Sequence, residues 1–243
     1  LPILKDVSLE IRAGEKLAIV GPTGSGKSTL IRLLGRFYDF DHGMIFIDNI
    51  DLQDIRSQDV RRRIGVVLQD FHIFSGSILD NITLGDPAIT REQAIDAATT
   101  VNAHGFISQI DGGYDALLAE RGANLSQGQR QLLAFARVLA ANPEILVLDE
   151  ATASIDTETE LLIQDALQKL MEGRTSILIA HRLQTIQEAD RVLVLVDGDV
   201  YELGSHDDLI RSEYLTCFRL LPEHKSLPNQ LVGLLPILTL TPL

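Results

Sequence analysis

The sequence predicts an α/β fold: a mostly parallel sheet core with an antiparallel β flank and an inserted helical subdomain. Three observations carry this expectation. Short apolar runs recur at residues 17–20, 66–68, 145–148, 177–180 and 192–196, without internal polar alternation, as strands covered on both faces of a parallel sheet require. Helix-like segments separate most of these runs, an alternation that belongs to an α/β layer fold. Between Gln69 and Pro143 no strong strand run appears, so about 70 residues read as a mostly helical insertion.

In chain order, residues 7–11 alternate and then turn at Ala13-Gly14, and residues 44–47 are strand-like after His42-Gly43. Together these predict the antiparallel flank. Residues 30–34 read as helix stopping at Gly35, a residue suited to helix ends. Residues 91–101 are amphipathic, 126–141 carry an apolar stripe through Leu132, Ala136, Leu139 and Ala140, and 157–171 end at Gly173, all helical signals. After Tyr214 the pattern deteriorates, and the Leu/Pro-rich residues 221–243 follow neither period, which predicts a disordered tail.

The chain has 243 residues, ample for a large core at roughly 150 residues per domain. With 45% hydrophobic and 23% charged residues it sits near globular averages, against wholesale disorder or collagen-like repeats. Its 21 basic and 34 acidic residues give a net charge of −13 and a pI near 4.8. That balance opposes a nucleic-acid backbone binder, which needs a basic face. The compact basic run Arg61-Arg62-Arg63 lacks interleaved aromatics and reads as a solvated helix face. Cys217 is the only cysteine, so it forms no internal disulfide and reads as a buried or inert thiol. Residues 226–243 are uncharged and of membrane-span length, but Pro228, Pro236 and Pro242 oppose a helix there. The chain opens on Leu1 without a signal-peptide pattern, so a fragment or processed product is expected.

Gly21-Pro22-Thr23-Gly24-Ser25-Gly26-Lys27-Ser28, followed by Thr29, matches GxxxxGK[ST] between an apolar strand run and a helix, the order a phosphate loop requires. Its glycines let amides turn toward one centre, and the helix N-terminus adds partial positive charge. Lys27 can reach β- and γ-phosphates and Ser28 can ligand Mg²⁺. Asp149 and Glu150 end the run 145–148, placing two carboxylates at the strand end where open α/β sheets bind ligands. One suits a hydrated Mg²⁺, the other the orientation or deprotonation of water.

With these motifs the chain resembles the nucleotide-binding domain of ATP-binding-cassette (ABC) transporters, over residues 4–215. Leu125-Ser126-Gln127-Gly128-Gln129 looks like the family signature LSGGQ, with Gln127 in place of its first glycine. Ser126 and Gln129 also form an S-x-x-Q capping box. The resemblance implies that this helix N-terminus faces the γ-phosphate held by a second copy, through the Ser126 hydroxyl and the Gly128 amide. It further implies a Q-loop role for Gln69, a switch-histidine role for His181 and a D-loop role for Asp156, which could equally cap the helix at Thr157. Phe74-Ser75-Gly76-Ser77-Ile78 with Asn81, and Glu120-Arg121-Gly122, resemble exporter-type segments that touch intracellular coupling helices. Family members stack adenine on an aromatic upstream of the strand equivalent to 4–11, which this chain begins too late to include, so weakened ATP affinity is expected.

What the resemblance implies is then concrete. The fold is a P-loop NTPase core of RecA-like type, spanning 1–215 with a helical subdomain at about 70–143, followed by a tail at 216–243. ATP and Mg²⁺ are the cofactors. Glu150, His181, Lys27 and Gln69 are catalytic; Gly21 through Thr29, Ser126, Gly128, Gln129 and Asp156 bind nucleotide; Ser28, Gln69 and Asp149 serve the metal. Partners are a second nucleotide-binding domain and transmembrane-domain coupling helices, at the cytoplasmic face of a membrane, with no nucleic acid. The activity is ATP hydrolysis driving export. Two alternatives stay open: a non-hydrolysing half of an asymmetric heterodimer, and a soluble ABC ATPase not involved in transport.

Overall fold

The structure, a computed structural model, describes residues 3–40, 42–68, 72–149, 157–180 and 183–211. β1 (Lys16–Val20) leads through a glycine-rich loop into α1 (Lys27–Leu34). A short hairpin of β2 (Phe46–Ile47) and β3 (Ile50–Asp51) precedes α2 (Ser57–Arg63) and β4 (Ile64–Val67). Then come β5 (Gly76–Ser77), α3 (Ile78–Thr83), α4 (Arg91–Thr100), α5 (His104–Ile107), β6 (Leu117–Leu118) and α6 (Gln127–Ala140). The chain returns through β7 (Ile145–Asp149), α7 (Thr157–Met171), β8 (Thr175–Ile179), α8 (Leu183–Gln187), β9 (Arg191–Val196), β10 (Asp199–Gly204) and α9 (His206–Arg211).

Six strands form one sheet in the order β10-β9-β1-β8-β7-β4. All neighbours run parallel except β10, which closes the edge antiparallel to β9. Alternate strand residues feed opposite faces. Leu17, Ile19, Val147, Ile177, Ile179, Leu193 and Leu195 pack with Leu30 and Ile31 of α1 and Val60 of α2. On the other face, Leu146, Leu148 and Leu178 meet α6 and α7, while Ala18, Val20, Val192 and Val194 meet Ile186 of α8 and Leu209 of α9. Burial on both sides is the physical reason the strands read as unbroken apolar runs.

The apolar runs became β1, β4, β7, β8 and β9, with β4 starting at Ile64 directly after α2, ahead of the expected 66–68. The insertion after β4 is helical as expected, with one addition: β5 and β6 form an antiparallel ladder pairing Gly76 with Leu118 and Ser77 with Leu117. The flank is smaller than expected. Its hairpin pairs Phe46 with Asp51 and Ile47 with Ile50 across Asp48 and Asn49, whose φ values of 51° and 63° suit a type I′ turn. Residues 7–11, expected as a strand, form no ladder among the described residues; Val7, Leu9 and Ile11 alternate onto the core by packing alone. The expected tail at 216–243, with Cys217, lies outside the described residues. Among those described, no helix is long and apolar enough to cross a membrane.

One ion pair ties the turn before β1 to β9. Glu15, 8% exposed, accepts from the Arg191 guanidinium and from the Arg12 backbone N–H at 2.7 Å. Burial pushes its carboxyl up, but the bonds from Arg191 and Arg12 and their charges outweigh this and hold it below its ordinary value of 4.5. A depressed folded-state pKa stabilises the fold above the unfolded value and loses that contribution as pH falls through the folded one. Wild type should therefore exceed Glu15→Gln in urea stability at neutral pH, with the gap closing progressively below pH 4.5. A gap that stays constant into acid would refute this reading of the pair.

Candidate functional site

Strand register decides what meets at the sheet's carboxyl edge. Ile19 pairs with Ile179, and Ile179 pairs with Asp149, so Asp149 stands level with the end of β1, where the glycine-rich loop leaves the sheet. Gly21 must be glycine because a Cβ there would lie 2.0 Å from the Leu195 carbonyl oxygen. Gly26, at φ 104°, turns the chain into α1, which carries neither a side-chain cap nor an acidic residue in its first turn. That helix end keeps its N–H groups and partial positive charge unneutralised, which suits an anion.

Lys27 is buried and folds back on its own loop, donating from Nζ to the carbonyls of Gly21 and Pro22, both at 2.8 Å. Two of its three donors are thereby used. Burial draws its pKa below the usual lysine range, and the Asp149 charge opposes that shift. Ser25 is 1% exposed, and its hydroxyl has no hydrogen-bond partner among the described residues. An orphaned hydroxyl inside a glycine loop is costly unless something binds there, so the loop fits a polyphosphate. Thr23, Gly24 and Ser28 are exposed and Thr29 half-buried, leaving the loop's outer rim accessible. No cluster of three His, Cys, Asp or Glu side chains suited to a metal occurs among the described residues.

Ser126, Gly128 and Gln129 are brought together at the start of α6. The Ser126 hydroxyl accepts from the Gln129 N–H at 3.2 Å, and Gln129 Oε1 accepts from the Ser126 N–H at 2.9 Å. Gly128 is buried against α7, where a Cβ would meet Thr159 Cγ2 at 2.2 Å. No hydrogen bond or ion pair described joins these residues to the loop at 21–29. Gln69, Glu150, Asp156 and His181 lie outside the described residues. In sequence, Gln69, Glu150 and His181 follow β4, β7 and β8, and Asp156 directly precedes α7.

The two segments singled out at 74–81 and 120–122 come together. Gly122 packs on Ile73, with a virtual Cβ 3.1 Å from Ile73 Cγ2. Asn81, 1% exposed, accepts from the Phe74 N–H at 2.9 Å and donates to the carbonyls of Phe74 and Ser77 at 2.9 and 3.0 Å. Arg137 of α6, which nothing in the sequence singled out, completes this cluster. It donates to the carbonyls of Asn81 and His72 at 2.7 and 2.8 Å and lies 5.4 Å from the Phe74 ring centroid. Burial lowers its pKa to about 10, so it stays charged at neutral pH. The available signal was an arginine one residue after Ala136 of the buried stripe.

The chain is similar to known proteins in sequence and in fold. The family profile described as ABC transporter matches residues 4–153. "Putative multidrug export ATP-binding/permease protein YgaD" of Bacillus subtilis (strain 168) is 45% identical over 211 residues, covering 87% of this chain and 36% of that protein. A Staphylococcus aureus (strain NCTC 8325 / PS 47) protein of the same description, SAOUHSC_02003, is 47% identical over 212 residues, covering 87% of this chain and 37% of that protein. The solved "Structure of a bacterial Atm1-family ABC exporter with ATP bound" superposes with a TM-score of 0.79 at 44% identity, covering 86% of this chain and 36% of the other. The chain thus spans little more than a third of the length of the curated relatives it matches.

The close approach of α6 and α7 at Gly128 has a measurable cost. Gly128→Ala should lower unfolding stability by about 1–3 kcal/mol through overpacking on Thr159. Gly105→Ala, whose Cβ meets nothing within 4 Å, should be neutral or stabilising in the same urea titration. Equal midpoints for the two variants would contradict the described packing.

Proposed function

The chain belongs to the ABC transporter family, and from that premise we propose that it is the ATP-binding and ATP-hydrolysing motor of an exporter. The observation that supports this most is the placement of Lys27. Its ammonium sits inside a glycine loop at the mouth of an uncapped helix, within electrostatic reach of Asp149 on the same sheet edge. In this reading Gly21, Pro22, Thr23, Gly24, Ser25, Gly26, Lys27, Ser28 and Thr29 hold the phosphates, and Lys27 exchanges its loop carbonyls for phosphate oxygens. Ser28, Asp149 and Gln69 would hold Mg²⁺, which supplies charge against the β- and γ-phosphate oxygens. Glu150 orients and deprotonates the attacking water, and His181 stabilises charge on the γ-phosphate.

Ser126, Gly128 and Gln129, with Asp156, act on nucleotide held by a second copy or a paralogue, in a head-to-tail dimer. Closing on ATP and opening after hydrolysis would move transmembrane domains on the same full-length chain, at the cytoplasmic face of a membrane. The segments at 74–78 and 120–122 would meet their coupling helices; Phe74 is 48% and Leu117 77% exposed beside that face. The printed descriptions of the relatives, multidrug export ATP-binding/permease proteins, support export.

Mg-ATP hydrolysis should show a specific rate that rises with protein concentration and falls about a hundredfold or more in Glu150→Gln. Lys27→Ala should abolish ATP binding in the same preparation. Unchanged turnover in Glu150→Gln would refute the assignment of the base, and a specific rate independent of concentration would refute the two-copy site.

A further inference from the structure

Residues 3–5 do not join the sheet, yet they are linked to the phosphate loop through the β9–β10 turn. The Lys5 N–H donates to the Gly198 carbonyl at 2.8 Å, and its ammonium pairs with Asp199 at 3.5 Å. Gly198 in turn donates its N–H to the Ser25 carbonyl at 3.0 Å. Leu4 reaches the loop directly: a Cβ at Gly26 would stand 2.7 Å from Leu4 Cδ2 and 3.5 Å from Leu195 Cδ2. At Gly198, with φ 85°, a Cβ would stand 2.1 Å from the Ile3 carbonyl oxygen. Strand-less segment, turn and loop are stacked without room for one methyl group.

The Gly198 bond does more than fill space. A trans peptide is planar, with its C=O and N–H pointing in opposite directions. Holding the Ser25 carbonyl against Gly198 therefore aims the N–H of Gly26, which shares that peptide unit, away from the turn. A loop containing Gly21, Gly24 and Gly26 has a large conformational entropy to lose when its amides converge on an anion. Contacts that order it beforehand raise affinity by removing that cost from binding.

We propose that residues 3–5 and the β9–β10 turn form a buttress that aims the phosphate-loop amides and so sets affinity for polyphosphate. The inference rests on the nucleotide-binding reading and extends it to Leu4, Lys5 and Gly198 as positioning residues that act through the loop. It is specific about which part of the nucleotide is affected: the phosphates, not the base.

Calorimetric dissociation constants of the full chain for ATP and for inorganic tripolyphosphate test it, with Leu4→Ala and Gly198→Ala beside wild type. Both variants should weaken both ligands by about five- to tenfold, with kcat at saturating ATP unchanged and Leu4→Met close to wild type. Gly14→Ala strains another left-handed turn glycine, at φ 77° with nothing within 4 Å of its Cβ. It should lower the thermal midpoint without moving either dissociation constant. If Gly198→Ala does not fold, the partly exposed Leu4→Ala carries the test. Unchanged constants in Leu4→Ala, or ATP weakened with tripolyphosphate unaffected, would overturn the buttress. A wild-type chain that binds neither ligand would overturn the nucleotide reading, and the buttress with it.

Discussion

The structure depends on the register that sets Ile19, Ile179 and Asp149 level across β1, β8 and β7. In a sheet buried on both faces, backbone groups within the strands are consumed by the ladder. Free amides and charged side chains therefore appear together only where strands leave the sheet. A slip of one residue in β1 would send Leu17 and Ile19 to the face now occupied by Ala18 and Val20. Core packing and site geometry are thus the same constraint, because the residues that prevent the slip are those that bring Lys27 within range of Asp149.

α6 extends this constraint away from the sheet. Its N-terminus carries Ser126 and Gly128 against α7, and its far turns carry Arg137 into the cluster with Asn81 and Phe74. With 14 residues it spans about 21 Å at 1.5 Å per residue. Both ends are held by close interactions: a glycine pressed on Thr159, and a half-buried guanidinium bonded to two backbone carbonyls. One helix therefore joins the cluster at Phe74 to the helix end at Ser126.

Legibility in the sequence followed burial. The strands covered on both faces read as apolar runs, and the glycine-rich loop, where Gly21 is required by the Leu195 carbonyl and Gly24 and Gly26 by positive φ, read as a motif. β10 was missed because only alternate residues face inward, with Tyr201 and Leu203 exposed. Residues 7–11 were misread because side-chain alternation is the same in an extended segment that packs on a core as in one that hydrogen-bonds to a neighbour. β5 and β6 pair through two residues each, too few for any period. Arg137 escaped because helical arginines ordinarily face water, and its partial burial follows only once the 72–81 segment supplies the carbonyls that it satisfies.

Charge placement on the longer helices separates the two motif helices from the rest. α4 and α7 each carry acidic residues in the first turn, Glu92 in one and Glu158 and Glu160 in the other, while α1 and α6 carry none. In a chain of net charge −13, keeping acids out of those two turns preserves partial positive charge where it is otherwise easily cancelled. On α6 the capping box uses the Gln129 N–H, and the Arg130 N–H goes to the Ser126 carbonyl. The Gln127 and Gly128 amides of the first turn are spent on neither. Two helix ends in one chain thus keep partial positive charge that no acidic residue of their first turns neutralises.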